Sequence, residues 1–166
     1  MASELKNLST VSTELPHAGD YKFGIVVSEY YPEITERLLD ACLETLAKQN
    51  VKQENVFIEY APGTYELPIA CQRLNRWKKV DAVIAFGCVI KGETDHDKYI
   101  NHSVAQALQD LSIKYGKPFL FGVLTPNTFQ EALDRAGGKH GNKGVEVAVA
   151  ALKMVALEKK MQYDAE

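Results

Sequence analysis

The sequence predicts an α/β protein, a three-layer α/β/α sandwich with a four-stranded parallel sheet at its centre. Four short apolar runs alternate along the chain with segments of helical periodicity. One run, residues 81–90, is apolar almost throughout, as is typical of a strand buried on both faces. Because parallel strands need crossover connections, the intervening helices are expected to cover both faces of the sheet.

The four predicted strands are apolar runs bounded by turn residues. They lie at residues 22–28, 56–61, 81–90 and 118–124. The helices between them are predicted from apolar residues spaced three and four positions apart. They lie at residues 34–49, from the turn Pro62-Gly63-Thr64 to about residue 77, and at residues 99–115, 128–136 and 145–161.

The connection before the last helix contains two further signals. Thr128 opens the short fourth helix, and Glu131 is placed three residues later as its capping-box partner. Residues 137–144 form a glycine-rich break. We expect one domain over residues 21–161 and a C-terminal tail at residues 162–166. Residues 1–20 lack a pattern of their own and are either a loose tail or an arm that needs another subunit.

Composition excludes several classes of function. The chain has 166 residues, of which 46% are hydrophobic and 25% charged, so it is not a disordered protein. Its net charge of −3 gives no electrostatic reason to expect a nucleic-acid partner. No apolar stretch approaches the roughly 20 residues that span a bilayer. Three separated cysteines are expected to be buried thiols in a reducing cytoplasm.

The candidate chemistry lies in loops that follow strands, and in a parallel sheet these loops open at one edge. Tyr30 follows the first strand and could present a ring face to a flat heterocycle, although plain packing is the commoner reason for such a tyrosine. Thr64, Tyr65 and Glu66 follow the second strand, at a helix start whose N–H groups suit an anion or a carbonyl oxygen. Taken alone, Glu66 is better explained by the helix dipole.

The loop after the third strand ends in His96, whose imidazole can exchange protons near neutral pH. A histidine beside glycine and threonine at the end of a strand favours a functional role over a structural cap. We do not expect a metal site here. His96 and His102 are six residues apart, and no carboxylate completes a set of ligands.

A segment of glycines and cations, residues 135–144, suggests a phosphate-binding loop. It departs from the P-loop pattern, because Asn142 stands where that pattern requires a glycine before Lys143. The segment also follows a helix rather than a strand. On these residues alone, a phosphate-binding Arg135 and glycines that merely end one helix and start another are equally supported.

Taken together, these loops resemble the 6,7-dimethyl-8-ribityllumazine synthases of riboflavin biosynthesis. The resemblance covers residue 21 to about residue 157, in order and without large gaps. Its pieces are Pro62-Gly-Thr-Tyr-Glu-Leu-Pro68, Gly87-Cys-Val-Ile-Lys-Gly-Glu-Thr-Asp-His96, Phe121-Gly-Val-Leu-Thr125, and Glu131-Ala-Leu-Asp-Arg-Ala-Gly137 running into Gly141-Asn-Lys-Gly144.

The resemblance implies a flavodoxin-like sheet and a condensation that needs no metal or organic cofactor. The substrates would be 5-amino-6-(D-ribitylamino)uracil and 3,4-dihydroxy-2-butanone 4-phosphate. His96 would shuttle protons as the catalytic residue. The ketone phosphate would be bound by Glu93, Thr94 and Arg135. The ribitylaminouracil would be bound by Tyr30, Thr64, Tyr65, Glu66, Cys88, Val89, Ile90, Phe121 and Lys143.

The resemblance also implies a homo-oligomer, because Phe121, Arg135 and Lys143 would come from a neighbouring subunit. A ring of five subunits is the smallest such assembly. The compact link at residues 136–144 goes with a shell of sixty subunits. Residues 10–14 of the arm could add a strand to the neighbour's sheet. Riboflavin synthase would be a functional partner.

Two other functions compete with this one. A non-catalytic flavin- or pteridine-binding protein could keep the same pocket, but it would need neither Arg135 as a phosphate counter-charge nor His96 as a proton shuttle. A receiver-type or flavodoxin-like signalling domain would need an acidic cluster or a hydroxyl-rich loop after the first strand. The loop Ser28-Glu29-Tyr30-Tyr31 is neither of these.

Overall fold

A parallel four-stranded sheet runs through the middle of the structure, a computed structural model that describes residues 14–165 of the chain. Its strands are β1 (Phe23–Ser28), β2 (Val56–Ala61), β3 (Ala82–Cys88) and β4 (Phe119–Leu124). They pair in the order β2-β1-β3-β4, and every pair is parallel. The predicted α/β class with a flavodoxin-like sheet is therefore confirmed.

Within residues 14–165, five α-helices accompany the sheet. They are α1 (Pro32–Lys48), α2 (Leu67–Lys78), α3 (His96–Tyr115), α4 (Phe129–Arg135) and α5 (Lys143–Asp164). Helices α1 and α5 pack on one face of the sheet, and α2 and α3 pack on the other. Among residues 14–165, no helix is both long enough and apolar enough to cross a membrane.

The two central strands, β1 and β3, are buried at every position, which explains why they are almost entirely apolar. Along β1, Ile25 and Val27 point towards α1 and α5, whereas Val26 points towards α2. The register places Ile25 between Ile58 of β2 and Ile84 of β3. The three cysteines are free and buried within these layers, as predicted.

Three departures from the predicted elements lie next to candidate site residues. Helix α2 is preceded by a 3₁₀ turn (Thr64–Glu66), and Pro68 occupies its first turn, where a missing N–H costs nothing. Helix α3 begins at His96, three residues before the predicted start, because its first turn is polar and shows no apolar spacing. The glycine-rich break contains an antiparallel hairpin, β5 (Ala136–Gly138) and β6 (Gly141–Asn142), whose strands are too short to show an alternating pattern.

The capping box at α4 is confirmed in one of its two bonds. Thr128 Oγ1 accepts the backbone N–H of Glu131 at 3.2 Å. The Glu131 carboxylate accepts the N–H of Asn127 at 2.7 Å rather than that of Thr128. The Glu131 carboxylate therefore bonds to the residue before the N-cap, one position earlier in the chain than the capping box predicts.

Within residues 14–20, Leu15 and Ala18 pack against the chain's own core. Ala18 is fully buried, and its N–H donates to the carbonyl oxygen of Gln49 at 3.0 Å. The Asn55 side-chain amide donates to the carbonyl of Gly19 at 3.2 Å. The strand expected from residues 10–14 lies, apart from Glu14, outside the described residues, as do residues 1–9. The domain bounds 21–161 remain a prediction.

Helices α1 and α5 approach closely at Gly144. A Cβ atom at this position would overlap the carbonyl oxygen of Leu38, which belongs to the α1 backbone and cannot swing away. We expect Gly144→Ala to lower the free energy of unfolding by about 3 kcal/mol, the cost of overpacking a rigid contact. Urea denaturation measures this change.

The matched control is Gly116→Ala, at the C-terminal end of α3. Gly116 has φ 60°, and a Cβ atom added there would meet no other atom. Gly116→Ala should therefore lower the free energy of unfolding by only about 1 kcal/mol, because alanine adopts the left-handed backbone less readily than glycine. Equal losses in the two variants would contradict a close α1–α5 contact at Gly144.

Candidate active site

A cavity of about 300 Å³ opens at the carboxyl ends of β1, β2 and β3. It brings together most of the residues singled out in the sequence, from three separate loops. Its walls are formed by Tyr30, Tyr31, Gly63, Thr64, Tyr65, Glu66, Cys88, Val89, Ile90, His96 and Ile100. Because parallel pairing aligns the ends of these strands, residues far apart in the sequence meet here.

The rings of two tyrosines are available to a ligand in this cavity. Tyr30 is 67% exposed and Tyr65 is 63% exposed. Tyr65 and Glu66 lie in the 3₁₀ turn that precedes α2, and both are open to solvent. Aromatic faces beside an exposed carboxylate can bind a flat ring that carries hydroxyl groups.

The hydroxyl of Thr64 is a further group that could bind a ligand in this cavity. Thr64 is 5% exposed, and its Oγ1 has no hydrogen-bond partner within residues 14–165. Gly87 of β3 permits this placement, because a Cβ there would lie 2.7 Å from Thr64 Oγ1. Buried hydroxyls are nearly always paired, so this group is available to bond to a molecule that fills the cavity.

His96 is the first residue of α3 and is exposed at the rim of the cavity. Its Nδ1 lies 3.1 Å from Thr94 Oγ1, and this hydrogen bond orients the ring. When Thr94 is the donor, the imidazole carries its proton on Nε2. Glu93 and Thr94 lie on the exposed loop before the helix and are not among the residues that line this cavity.

A second cavity, of about 410 Å³, lies beside the carboxyl end of β4. It contains the other three predicted residues, Phe121, Arg135 and Lys143, with His140 and Asp134 also in its wall. Among the residues that the structure describes, none lines both cavities. Within one chain, the structure therefore separates the residues that the resemblance had assigned to two subunits.

Two residues that line the second cavity, Arg135 and Lys143, pair with a buried carboxylate that the sequence analysis missed. Glu146 is 8% exposed, and its two oxygens lie 3.5 Å from Arg135 Nη2 and 3.2 Å from Lys143 Nζ. A buried carboxylate is stable when cations pair with it, and Glu146 has two. Its spacing of three residues from Lys143 on a helix was the available signal, but nothing in the sequence placed Arg135 beside them.

Cys88 lines the first cavity but offers no nucleophile. Burial raises the pKa of its thiol to about 12, so the sulfur is protonated at neutral pH. Burial also raises the pKa values of Cys42 and Cys71. The groups that Cys88, Val89 and Ile90 can offer are those of the main chain. The N–H of Val89 is already bonded to the carbonyl of Leu124 at 2.9 Å.

Comparison with known proteins gives a consistent result. Residues 20–159 match the family described as 6,7-dimethyl-8-ribityllumazine synthase. The chain is 47% identical to a 6,7-dimethyl-8-ribityllumazine synthase of Cytophaga hutchinsonii, over 94% of this chain and 98% of the relative. It is 45% identical to that of Parabacteroides distasonis (93% and 98%) and 44% identical to that of Porphyromonas gingivalis (96% and 99%).

Proposed function

The chain belongs to the 6,7-dimethyl-8-ribityllumazine synthase family, and on that premise we propose a role for each of its two cavities. It is a transferase that condenses 5-amino-6-(D-ribitylamino)uracil with 3,4-dihydroxy-2-butanone 4-phosphate, the penultimate step of riboflavin biosynthesis. The observation that carries this conclusion is the family match over residues 20–159.

The reaction makes modest demands on acid–base catalysis. The amine condenses with the ketone to give an imine and one water, phosphate is eliminated with loss of a C–H proton, and ring closure with loss of a second water gives 6,7-dimethyl-8-ribityllumazine. The amine is already a nucleophile, and phosphate is a workable leaving group. Holding two substrates in the reactive geometry therefore supplies much of the rate.

The first cavity binds the ribitylaminouracil. Tyr30 stacks on the pyrimidine, in keeping with its exposed ring. Thr64, Tyr65 and Glu66 hold ring and ribityl groups, and the unpaired Thr64 hydroxyl supports this assignment. Main-chain groups of Cys88, Val89 and Ile90 complete the site at the end of β3.

The second cavity contributes to the site of a neighbouring subunit. Arg135 is the counter-charge to the phosphate, together with the backbone at Glu93 and Thr94 just before α3. Phe121 and Lys143 contact the ribitylaminouracil, with Lys143 near its ribityl chain. Glu146 supports this arrangement, because one carboxylate orients both cations.

His96 shuttles protons between the intermediates. Its exposed position at the cavity rim allows exchange with water, and Thr94 orients its ring. Imine formation, phosphate elimination and ring closure each move a proton. None of these steps requires His96 to form a covalent bond.

A ring of subunits would supply each site with both cavities. The chain carries different apolar surfaces on two sides. Beside β2, Ile69 and Trp77 of α2 are 47% and 73% exposed. Beside β4, a groove of about 650 Å³ is lined by Ile113, Met154 and Met161 among others. Two unlike surfaces favour head-to-tail contacts, which close into a ring.

We propose a ring of five subunits and, from the compact link that contains the β5–β6 hairpin, a hollow shell of twelve such rings. The three free buried thiols are in keeping with a cytoplasmic location. Riboflavin synthase, which would catalyse the last step of the pathway, is a functional partner.

Mixing the two substrates with the purified protein tests the activity directly. Lumazine absorbance and fluorescence should appear, with one inorganic phosphate released per lumazine formed. Binding of the lumazine without any product from the two substrates would instead indicate a non-catalytic binding protein.

Alanine variants of His96 and Arg135 should change different kinetic constants. His96→Ala should lower kcat by at most about 10²-fold, because one proton-transfer group is lost while both substrates still bind.

Arg135→Ala should raise the KM for the ketone phosphate far more than that for the ribitylaminouracil. Arg135→Lys should restore binding only in part, because lysine lacks the planar fork. Steady-state kinetics with each substrate varied in turn separates these effects.

His102→Ala is the control for the histidine variant, since His102 is exposed on the same helix and is not among the residues lining the first cavity. An unchanged rate between pH 6 and 8 for His96→Ala would remove that residue from the mechanism. If Arg135→Ala raised the KM values for both substrates equally, the guanidinium would have a role other than binding the phosphate.

Light scattering tests the assembly. From the 18.5 kDa chain, a pentamer has a mass of about 90 kDa and a sixty-subunit shell about 1.1 MDa. We expect the shell. A pentamer would contradict only the link-based argument, whereas a mass near one subunit would contradict the shared site as well.

A further inference from the structure

Tyr31, in the turn between β1 and α1, has no part in the roles assigned above, although it lines the first cavity beside Tyr30. We propose that Tyr31 is a positioning residue that holds the ring of Tyr30 in the orientation needed to stack on the pyrimidine. This proposal rests on the stacking role of Tyr30 proposed above. Three observations carry it: a left-handed backbone, a set of hydrogen bonds that fixes the turn, and two ring contacts.

The backbone of Tyr31 is left-handed, with φ 55° and ψ 59°. This conformation costs an ordinary L-residue roughly 1–2 kcal/mol, and glycine or asparagine adopts it more readily. Bulky residues in this region are outliers that persist where the surrounding structure enforces them, and they cluster at functional sites. The presence of an aromatic ring here therefore calls for a reason specific to the ring.

Hydrogen bonds fix the turn on both sides of Tyr31. Its carbonyl oxygen accepts the N–H groups of Ile34 and Thr35, at 2.9 and 3.0 Å. The Thr35 hydroxyl, on a residue that is 1% exposed, donates to the carbonyl of Ser28 at 3.1 Å. Ser28 Oγ accepts the N–H of Tyr30 at 3.3 Å. The directions in which the two tyrosine side chains leave the backbone are thus set by the turn.

The ring of Tyr31 packs near two other aromatic rings, one in its own turn and one on α4. Its centroid lies 6.5 Å from that of Tyr30 and 6.3 Å from that of Phe129, with the planes tilted by 52° and 49°. These separations fall within the range of attractive aromatic pairs. Phe129 is the first residue of α4, and Arg135 is the last. Tyr31 therefore connects the stacking residue of the first cavity to the helix that carries a cation of the second.

A ring as exposed as that of Tyr30 would otherwise be free to change rotamer, and binding would have to order it. A neighbouring ring that restricts it in advance lowers this cost. The effect should concern only the substrate that Tyr30 contacts. The KM for the ribitylaminouracil should therefore depend on Tyr31, and the KM for the ketone phosphate should not.

The test compares Tyr31→Asn with Tyr31→Phe. Asparagine suits the left-handed backbone but removes the ring, and we expect it to raise the KM for the ribitylaminouracil by about three- to tenfold, the equivalent of one aromatic pair. Phenylalanine keeps the ring and should rescue this KM. An unchanged KM in Tyr31→Asn, an equal rise for both substrates, or a Tyr31→Phe variant as impaired as Tyr31→Asn would each overturn the proposal.

Two further variants complete the design. Lys79→Asn places the same residue at a matched left-handed position, φ 52° and ψ 53° at the end of α2, and should leave both KM values unchanged. In a Tyr30→Ala background, Tyr31→Asn should have no additional effect, because it acts through the missing ring. If Tyr30→Ala alone leaves the KM unchanged, the stacking role itself fails. If Tyr30→Ala raises the KM and Tyr31→Asn does not, only the role of Tyr31 fails.

Discussion

Burial of the two central strands on both faces is the constraint on which the rest of the structure depends. With α1 and α5 on one side and α2 and α3 on the other, β1 and β3 are buried at every position and have no free face on which to place chemistry. The polar groups that these strands position therefore emerge where the strands end. Parallel pairing then brings the ends of β1, β2 and β3 together into one cavity, and β4, at the edge of the sheet, supplies a separate one.

The second cavity is organised by a single buried charge. Glu146 would be costly without partners, and its pairing with Arg135 and Lys143 sets the position of both cations at once. The contact to Arg135 is the longer of the two, at 3.5 Å, and the Arg135 side chain is 30% exposed. A phosphate can therefore bind the free side of the guanidinium without displacing Glu146, because the planar group has donors in several directions.

The sequence predicted what depends on local pattern and missed what depends on tertiary geometry. The apolar run of β2 predicted its bounds, and the loops after β1, β2 and β3 met at one edge as expected. The start of α3 at His96 was missed because its first turn is polar. The pairing of Glu146 with Arg135 and the left-handed backbone of Tyr31 could not be predicted, since a contact across eleven residues and a backbone angle leave no signal in residue types.

The division of the site between two cavities has a genetic consequence. On the proposed assembly, a chain damaged in the first cavity still donates an intact second cavity to its neighbour, and the reverse holds for a chain damaged in the second. Two inactive alleles of these two kinds, expressed together, would form mixed rings in which some interfaces join two undamaged halves. Such alleles would complement each other, whereas two alleles damaged in the same cavity would not.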